Sequence, residues 1–248
     1  MGTGQMSDVD ILRAKLEKQA AARGFLLPHH GALAAGAPDL HDAYLRMYNA
    51  LTVTPRVLND HEKECVWLGI LIAVEEHVGT HHLELFRQAG GTDTEAEAIV
   101  ALTGQAASLG AFRFGACSFP DHLPTLDPTQ AYDRTITALR GPLPDSLAHL
   151  TLLSVQAARG DTAGIAHHLR AGYALGLDES AMVEALSYLI WPRGVNCFLE
   201  ACEVWHGLMV AGDVTPSKRF AIWRDMPGQG AFRAEGGTQV SGFDEEPD

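Results

Sequence analysis

The densest group of chemically capable side chains lies just after a strongly apolar run: Glu75, Glu76, His77, His81 and His82, with Val78, Gly79 and Thr80 between them. Charges beside a core are costly unless paired, so these residues are expected to pair among themselves. A carboxylate next to an imidazole favours the imidazolium, while burial opposes charge on both groups. That competition is how a general acid or base is tuned towards neutral pH.

On a continuous helix His77 and His81 share one face at i, i+4. The same spacing can bind a metal, although the HExxH pattern of zinc proteases is absent. The expectation is therefore a site without metal or cofactor; His77, His81, His82 and Glu75 form the ligand set of the alternative. Gly79 has two readings: it leaves space for a small ligand one turn below the His82 ring, or it breaks the helix. Glu64, near the start of the apolar run, can favour a helix N-terminus electrostatically. Cys65, Cys117, Cys197 and Cys202 form no CxxC pair, and Cys65 reads as a small buried hydrophobe. His29 and His30 follow Pro28 in a predicted loop. Arg193 either receives a substrate carboxylate or caps the helix before it.

The elements that must position these groups are helical. Apolar residues recur with helical period, and no alternating strand stands out. Ser7 can cap a first helix ending at Gly24. Asp39 can cap a second with Leu40, Tyr44, Met47 and Leu51 inward. Asp60 opens the apolar helix, and Thr92 with Glu95 has capping-box spacing before a helix over about 94–108. Residues 110–127 read as a loop. Pro128 suits the first turn of a helix to Arg140. Further helices are predicted over 145–158, 162–175, 179–190 and 195–210, the last two split at Trp191-Pro192-Arg193-Gly194.

Of the 248 residues, 46% are apolar and 20% charged, and the formal net charge is -13. The acidic balance argues against a surface that tracks phosphates or adheres to anionic membranes. No apolar run has the length of a membrane span, and the opening residues lack the basic and apolar regions of a secretory signal. Residues 1–5 read as an extension ahead of a native Met6. A reduced, cytoplasmic protein is expected.

The chain also resembles itself. Residues 81–90 (HHLELFRQAG) align with 167–176 (HHLRAGYALG) at an offset of 86, and the upstream apolar segments keep that offset. It pairs His81 and His82 with His167 and His168, and Glu64 with Leu150. The second copy thus lacks the carboxylate, and its histidines read equally as a surface or interface pair. Four segments follow: N-terminal helices over 1–56, a first module over 57–126 bearing the chemistry, a second over 127–212, and a tail over 213–248 that is flexible or an oligomer arm. The end of that tail, from Pro227, is glycine-rich and acidic.

The stretch LNDHEKECVWLGILIAVEEHVGTHHLELFRQAGG resembles carboxymuconolactone decarboxylases and the related alkyl hydroperoxidase D-like proteins. The shared pattern is an acidic residue in an apolar helix, a break, then a His eight residues before a Gly. His82 fits ahead of Gly90, and His168 ahead of Gly176. The likeness covers roughly residues 40–110 and 140–212. It implies an all-α fold of two tandem modules, assembled as a homo-oligomer, trimer or hexamer. It further implies cofactor-free decarboxylation of a small carboxylated lactone or related organic acid, as in the degradation of aromatic compounds. Carried over by position, His82 is the main acid–base residue with Glu64 and Glu76 as partners; His77 and His81 join from local chemistry. The hydroperoxidase branch has a CxxC before its His, which this chain lacks. Two alternatives stay open: a metal-dependent lyase or hydrolase using His77, His81 and His82, and a non-catalytic small-molecule binding or assembly protein.

Overall fold

The computed structural model describes residues 7–229, and within them every regular element is a helix. The chain divides into two compact units, Met1–Arg56 and Val57–Asp248.

The first unit holds α1 (Asp8–Arg23), α2 (Pro28–Gly36) and α3 (Pro38–Tyr48), the last running into one π-helical turn over Asn49–Val53. Ser7 caps α1 as its spacing predicts, its side chain accepting from the Asp10 amide. The predicted loop around His29 and His30 is instead α2. Pro28 is its first residue, where the missing N–H costs nothing. His30 is buried, and so is His41, whose Nε2 lies 3.0 Å from Gln19 Oε1. The predicted inward set holds for Tyr44 and Leu51 but not for the rest of the α3 face. Leu40 and Met47 are exposed, while His41, Tyr44 and Leu45 turn inward. A polar-looking His belongs to the buried stripe, and phasing on Leu and Met alone misplaces it.

The second unit is built on two apolar helices, α4 (Asp60–Ala73) and α9 (Asp145–Arg159), packed against each other. Both are apolar over most of their circumference, the pattern of a helix covered on all sides. Residues 64–71 of α4 are all buried. Against α4 pack α5 (His81–Gln88) and α6 (Asp93–Gln105); against α9 pack α10 (Thr162–Ala174), α11 (Glu179–Ser187) and α13 (Val195–Ala211). Two cores result. Val66, Trp67 and Ile70 meet Leu153, Ile165, Leu186 and Trp205 in one. Cys65 and Leu68 meet Phe86, Ile99, Leu102, Tyr132 and Leu152 in the other. Gly69 permits the close crossing of α4 on α9, since a Cβ there would lie 2.6 Å from Thr151 Cγ2.

The capping box of Thr92 and Glu95 closes at the start of α6. Three expectations are corrected in this unit. The first half of the predicted 110–127 loop is helix, α7 (Ser108–Ser118), because its Gly and Phe residues sit on a helix-compatible stretch whose Leu109 is buried. α8 (Pro128–Leu139) then follows, with Asp127 as its cap. Trp191-Pro192-Arg193 is not a plain break but part of a short helix, α12 (Ile190–Arg193). The segment expected as a tail from residue 213 contains α14 (Lys218–Asp225), whose Phe220 and Trp223 rings surround Trp205 at 5.5 and 5.8 Å. Aromatic burial secures this helix to the core. Residues 230–248, the glycine-rich acidic end, lie outside the described residues.

Candidate active site

Asn59 starts α4 through a reciprocal box with Glu62, and Glu64 then falls on the inward side, 1% exposed. After Ala73 the helix stops. Glu75 turns the chain with φ 55°, the one non-glycine residue with positive φ among those described. After α9 the chain turns instead at Gly160, with φ 70°. A side chain in that region costs about 1–2 kcal/mol, so the turn at Glu75 carries strain that the turn at Gly160 avoids. A 3₁₀ turn over Val78–Thr80 follows, and α5 begins at His81.

This turn brings His82 back against α4. Its Nδ1 lies 2.7 Å from Glu64 Oε2, and the imidazole is 5% exposed. Trp67, one turn after Glu64 on the same face, stacks on the His82 ring at 4.2 Å and 16°. Tyr188 of the loop after α11 stacks on Trp67 at 5.1 Å. The Tyr188 hydroxyl donates to Glu184 Oε1 at 2.7 Å. The indole Nε1–H of Trp67 is buried without an acceptor among the described residues. Lys63 Nζ stands 3.6 Å from the other Glu64 oxygen, Oε1. The outcome is a carboxylate–imidazole dyad held under an aromatic lid, a geometry suited to passing one proton.

The remaining predicted residues are arranged differently. Glu76 is half-buried and accepts from the Val78 amide at 2.6 Å, closing the turn; the partner of His82 is Glu64. His77 is exposed and lies before the 3₁₀ turn, so it does not share a continuous helix with His81. His81 is half-buried, its ring 4.3 Å from that of His82. Glu75 is exposed. Gly79 leaves no ligand space beneath His82: a Cβ there would meet Leu71 Cδ2 at 2.7 Å, so the turn rests on α4. Arg193 is exposed at the end of α12. A cavity of about 270 Å³ is lined by Leu68, Ile72, Glu75, Glu76, His77 and Leu83, but not by Glu64 or His82.

A second polar centre lies among α8, α9 and α10. His149 of α9 meets His167 and His168 of α10, and Tyr132 of α8 joins them. His168 Nδ1 is 3.1 Å from His149 Nδ1, and His168 Nε2 is 3.2 Å from the Tyr132 hydroxyl. His167 Nε2 lies 2.9 Å from Asp133 Oδ1. Gln156 donates from Nε2 to the Tyr132 oxygen at 3.1 Å and to the Ala106 carbonyl. Burial lowers the pKa of all three imidazoles, most for His168, and raises that of Tyr132. Among the described residues these histidines are the set of three or more His, Cys, Asp or Glu whose donor atoms converge, within 4.8 Å. His77, His81, His82 and Glu75 do not converge in this way.

His149 escaped sequence reasoning because the residue at the offset of 86 is Lys63, an unlike residue. The usable signal was its place next to Leu150, on the helix facing the His167-His168 pair. Compared with family models, curated proteins and solved structures, the chain matches none.

Proposed function

We propose that this chain is a cofactor-free carboxy-lyase resembling the carboxymuconolactone decarboxylases, with Glu64 and His82 as its acid–base pair. The observation that carries the reading is the 2.7 Å contact between Glu64 Oε2 and His82 Nδ1 in a nearly water-free setting. In the reaction, a small carboxylated lactone or keto acid loses CO₂. The electron pair of the breaking C–C bond moves into the neighbouring carbonyl, giving an enolate. His82, oriented by Glu64, then delivers a proton to the carbon. The Trp67 indole N–H, buried and without an acceptor, suits a substrate oxygen that gains charge.

Further parts of the same reading are the duplication, the assembly and the location. Two modules of common descent are supported by α4 and α9 as paired central helices, each followed by a His-bearing helix, with His82 and His168 buried at the same offset. A homo-oligomer is supported by the exposure of Phe114, Val210 and Ile222. A cytoplasmic location accords with four free cysteines and with no described helix long and apolar enough to cross a membrane.

The test is CO₂ release from a panel of carboxylated lactones and β-keto acids by the purified chain. Glu64→Gln and His82→Gln, with helical content unchanged, are expected to lose about 10²–10⁴-fold in rate. His77→Ala, at an exposed position, is expected to keep the wild-type rate. No acceleration over buffer with any acid, or full rates in both dyad variants, overturns the proposal.

A further inference from the structure

We infer that His149, His167 and His168 form a binding site for a divalent transition-metal ion of the Zn²⁺ type, with three imidazole ligands and a fourth position left to water.

The donor spacing fits. A Zn–N bond is about 2.0–2.1 Å, and a tetrahedral angle then sets two ligand nitrogens roughly 3.3–3.4 Å apart. The Nδ1 atoms of His149 and His168 are already 3.1 Å apart, and the three donors lie within 4.8 Å of one another. The His149–His168 pair is a few tenths of an ångström from that spacing, and with the third donor up to 4.8 Å away, ring movement of up to roughly 1.4 Å completes the ligand set. The three residues come from two helices of a rigid pair, α9 and α10, so the rings are held by backbone rather than by loops.

The outer contacts fit as well. A ligating His normally engages its other nitrogen with a carboxylate, carbonyl or hydroxyl, which fixes the ring and its tautomer. His167 has Asp133 Oδ1 at 2.9 Å from Nε2, within reach though not aligned as a straight hydrogen bond, and this leaves Nδ1 for the metal. His168 has the Tyr132 hydroxyl on Nε2, which leaves its Nδ1 facing His149. The Tyr132 hydroxyl can donate to or accept from Nε2, so it serves both tautomers of His168. Tyr132 is itself held by Gln156, and Gln156 runs beneath α10 only because residue 164 is Gly: a Cβ there would lie 2.5 Å from the Gln156 side chain.

The chemistry of the donors selects the ion. Three imidazoles suit Zn²⁺, Co²⁺ or Ni²⁺ rather than Mg²⁺ or Ca²⁺, which take oxygen ligands. Three protein ligands plus water is the arrangement of zinc sites with an exchangeable position. His167 also lines a cavity of about 570 Å³ together with Arg113, Asp133 and Arg170, so one ligand borders a space that an anionic molecule can enter. This site does not depend on the Glu64–His82 proposal, and either can fail alone.

The experiment uses the full chain, stripped with chelator and titrated with Zn²⁺ and with Co²⁺. One Zn²⁺ per chain is expected, and Co²⁺ should give visible d–d absorption of a low-coordinate site. His149→Ala and His167→Ala, both at half-buried positions, should abolish the stoichiometric binding and the Co²⁺ spectrum. Asp133→Asn should weaken binding by about 10–100-fold while leaving the stoichiometry. Circular dichroism on each variant separates ligand loss from unfolding, and His77→Ala serves as the control that binds normally. Less than one bound ion per chain at saturating Zn²⁺ overturns the inference. So does unchanged binding in folded His149→Ala, or binding lost in His77→Ala and kept in His149→Ala.

Discussion

Gly69→Ala tests whether the crossing of α4 and α9 sets the stability of the second unit. A Cβ at residue 69 would stand 2.6 Å from Thr151 Cγ2 and 3.1 Å from Val155 Cγ2. Carbon atoms prefer about 3.5–4.0 Å, so the first contact is roughly 1 Å too close. Thr151 is fully buried and β-branched, with little rotamer freedom to withdraw. The helices must separate, and overpacking of this kind costs about 1–3 kcal/mol. Replacing a helix-interior Gly by Ala returns about 1 kcal/mol in propensity. With a contact this short the upper part of the overpacking range applies, and the net loss is about 1–2 kcal/mol. In a chain of this size that lowers Tm by roughly 2–8 °C. Thermal and urea unfolding measure it, with two comparisons. Gly207→Ala, in α13 with no atom within 4 Å of the added Cβ, should stabilise by about 0.5–1 kcal/mol. Thr151→Ser deletes the clashing methyl, so in that background Gly69→Ala should lose most of its cost, a coupling of about 0.5–3 kcal/mol. If Gly69→Ala raises Tm as Gly207→Ala does, or shows no coupling to Thr151, the packing argument is wrong.

Two further predictions concern stability. His149, His167 and His168 have lowered pKa values in the fold, burial being the first cause, against about 6.5 when unfolded. Below that unfolded value the unfolded chain binds more protons, so stability is complete above about pH 7 and falls as pH drops through the 6.5 region, by up to about 1.4 kcal/mol per pH unit for each ring that stays neutral. Urea midpoints at pH 7.5 and 5.5 should show the loss, with a shallower slope in His149→Gln; equal midpoints would refute it. Glu184 accepts from the Val57 and Leu58 amides at 2.8 and 2.9 Å and from Tyr188. Glu184→Ala removes the acceptor shared by these donors, of which the Leu58 amide is buried, and should cost about 1–3 kcal/mol by urea unfolding; a change under about 0.5 kcal/mol would refute it.

The helical class, most helix bounds after residue 57 and the capping box of Thr92 and Glu95 were legible in the sequence. Each depends on local terms: apolar period, cap chemistry and the places where Gly or Pro interrupts. His82 was in the candidate set as part of a polar cluster beside an apolar run, whereas Glu64 entered it through the family resemblance. Which carboxylate meets His82 was a different kind of question. Glu76 is six residues away in sequence and Glu64 eighteen, yet the Glu75 turn directs Glu76 to the Val78 amide and folds α5 back so that Glu64 makes the contact. Local proximity therefore pointed to the wrong partner, and only the reversal of the chain between two packed helices decided the pair. The same limit hid the second centre. His149, Tyr132 and His168 belong to three helices, and no spacing along one helix relates them. Periodicity specifies which face of each helix is buried; only tertiary packing specifies which buried faces meet. The three imidazoles converge because α8, α9 and α10 bury those faces against one another.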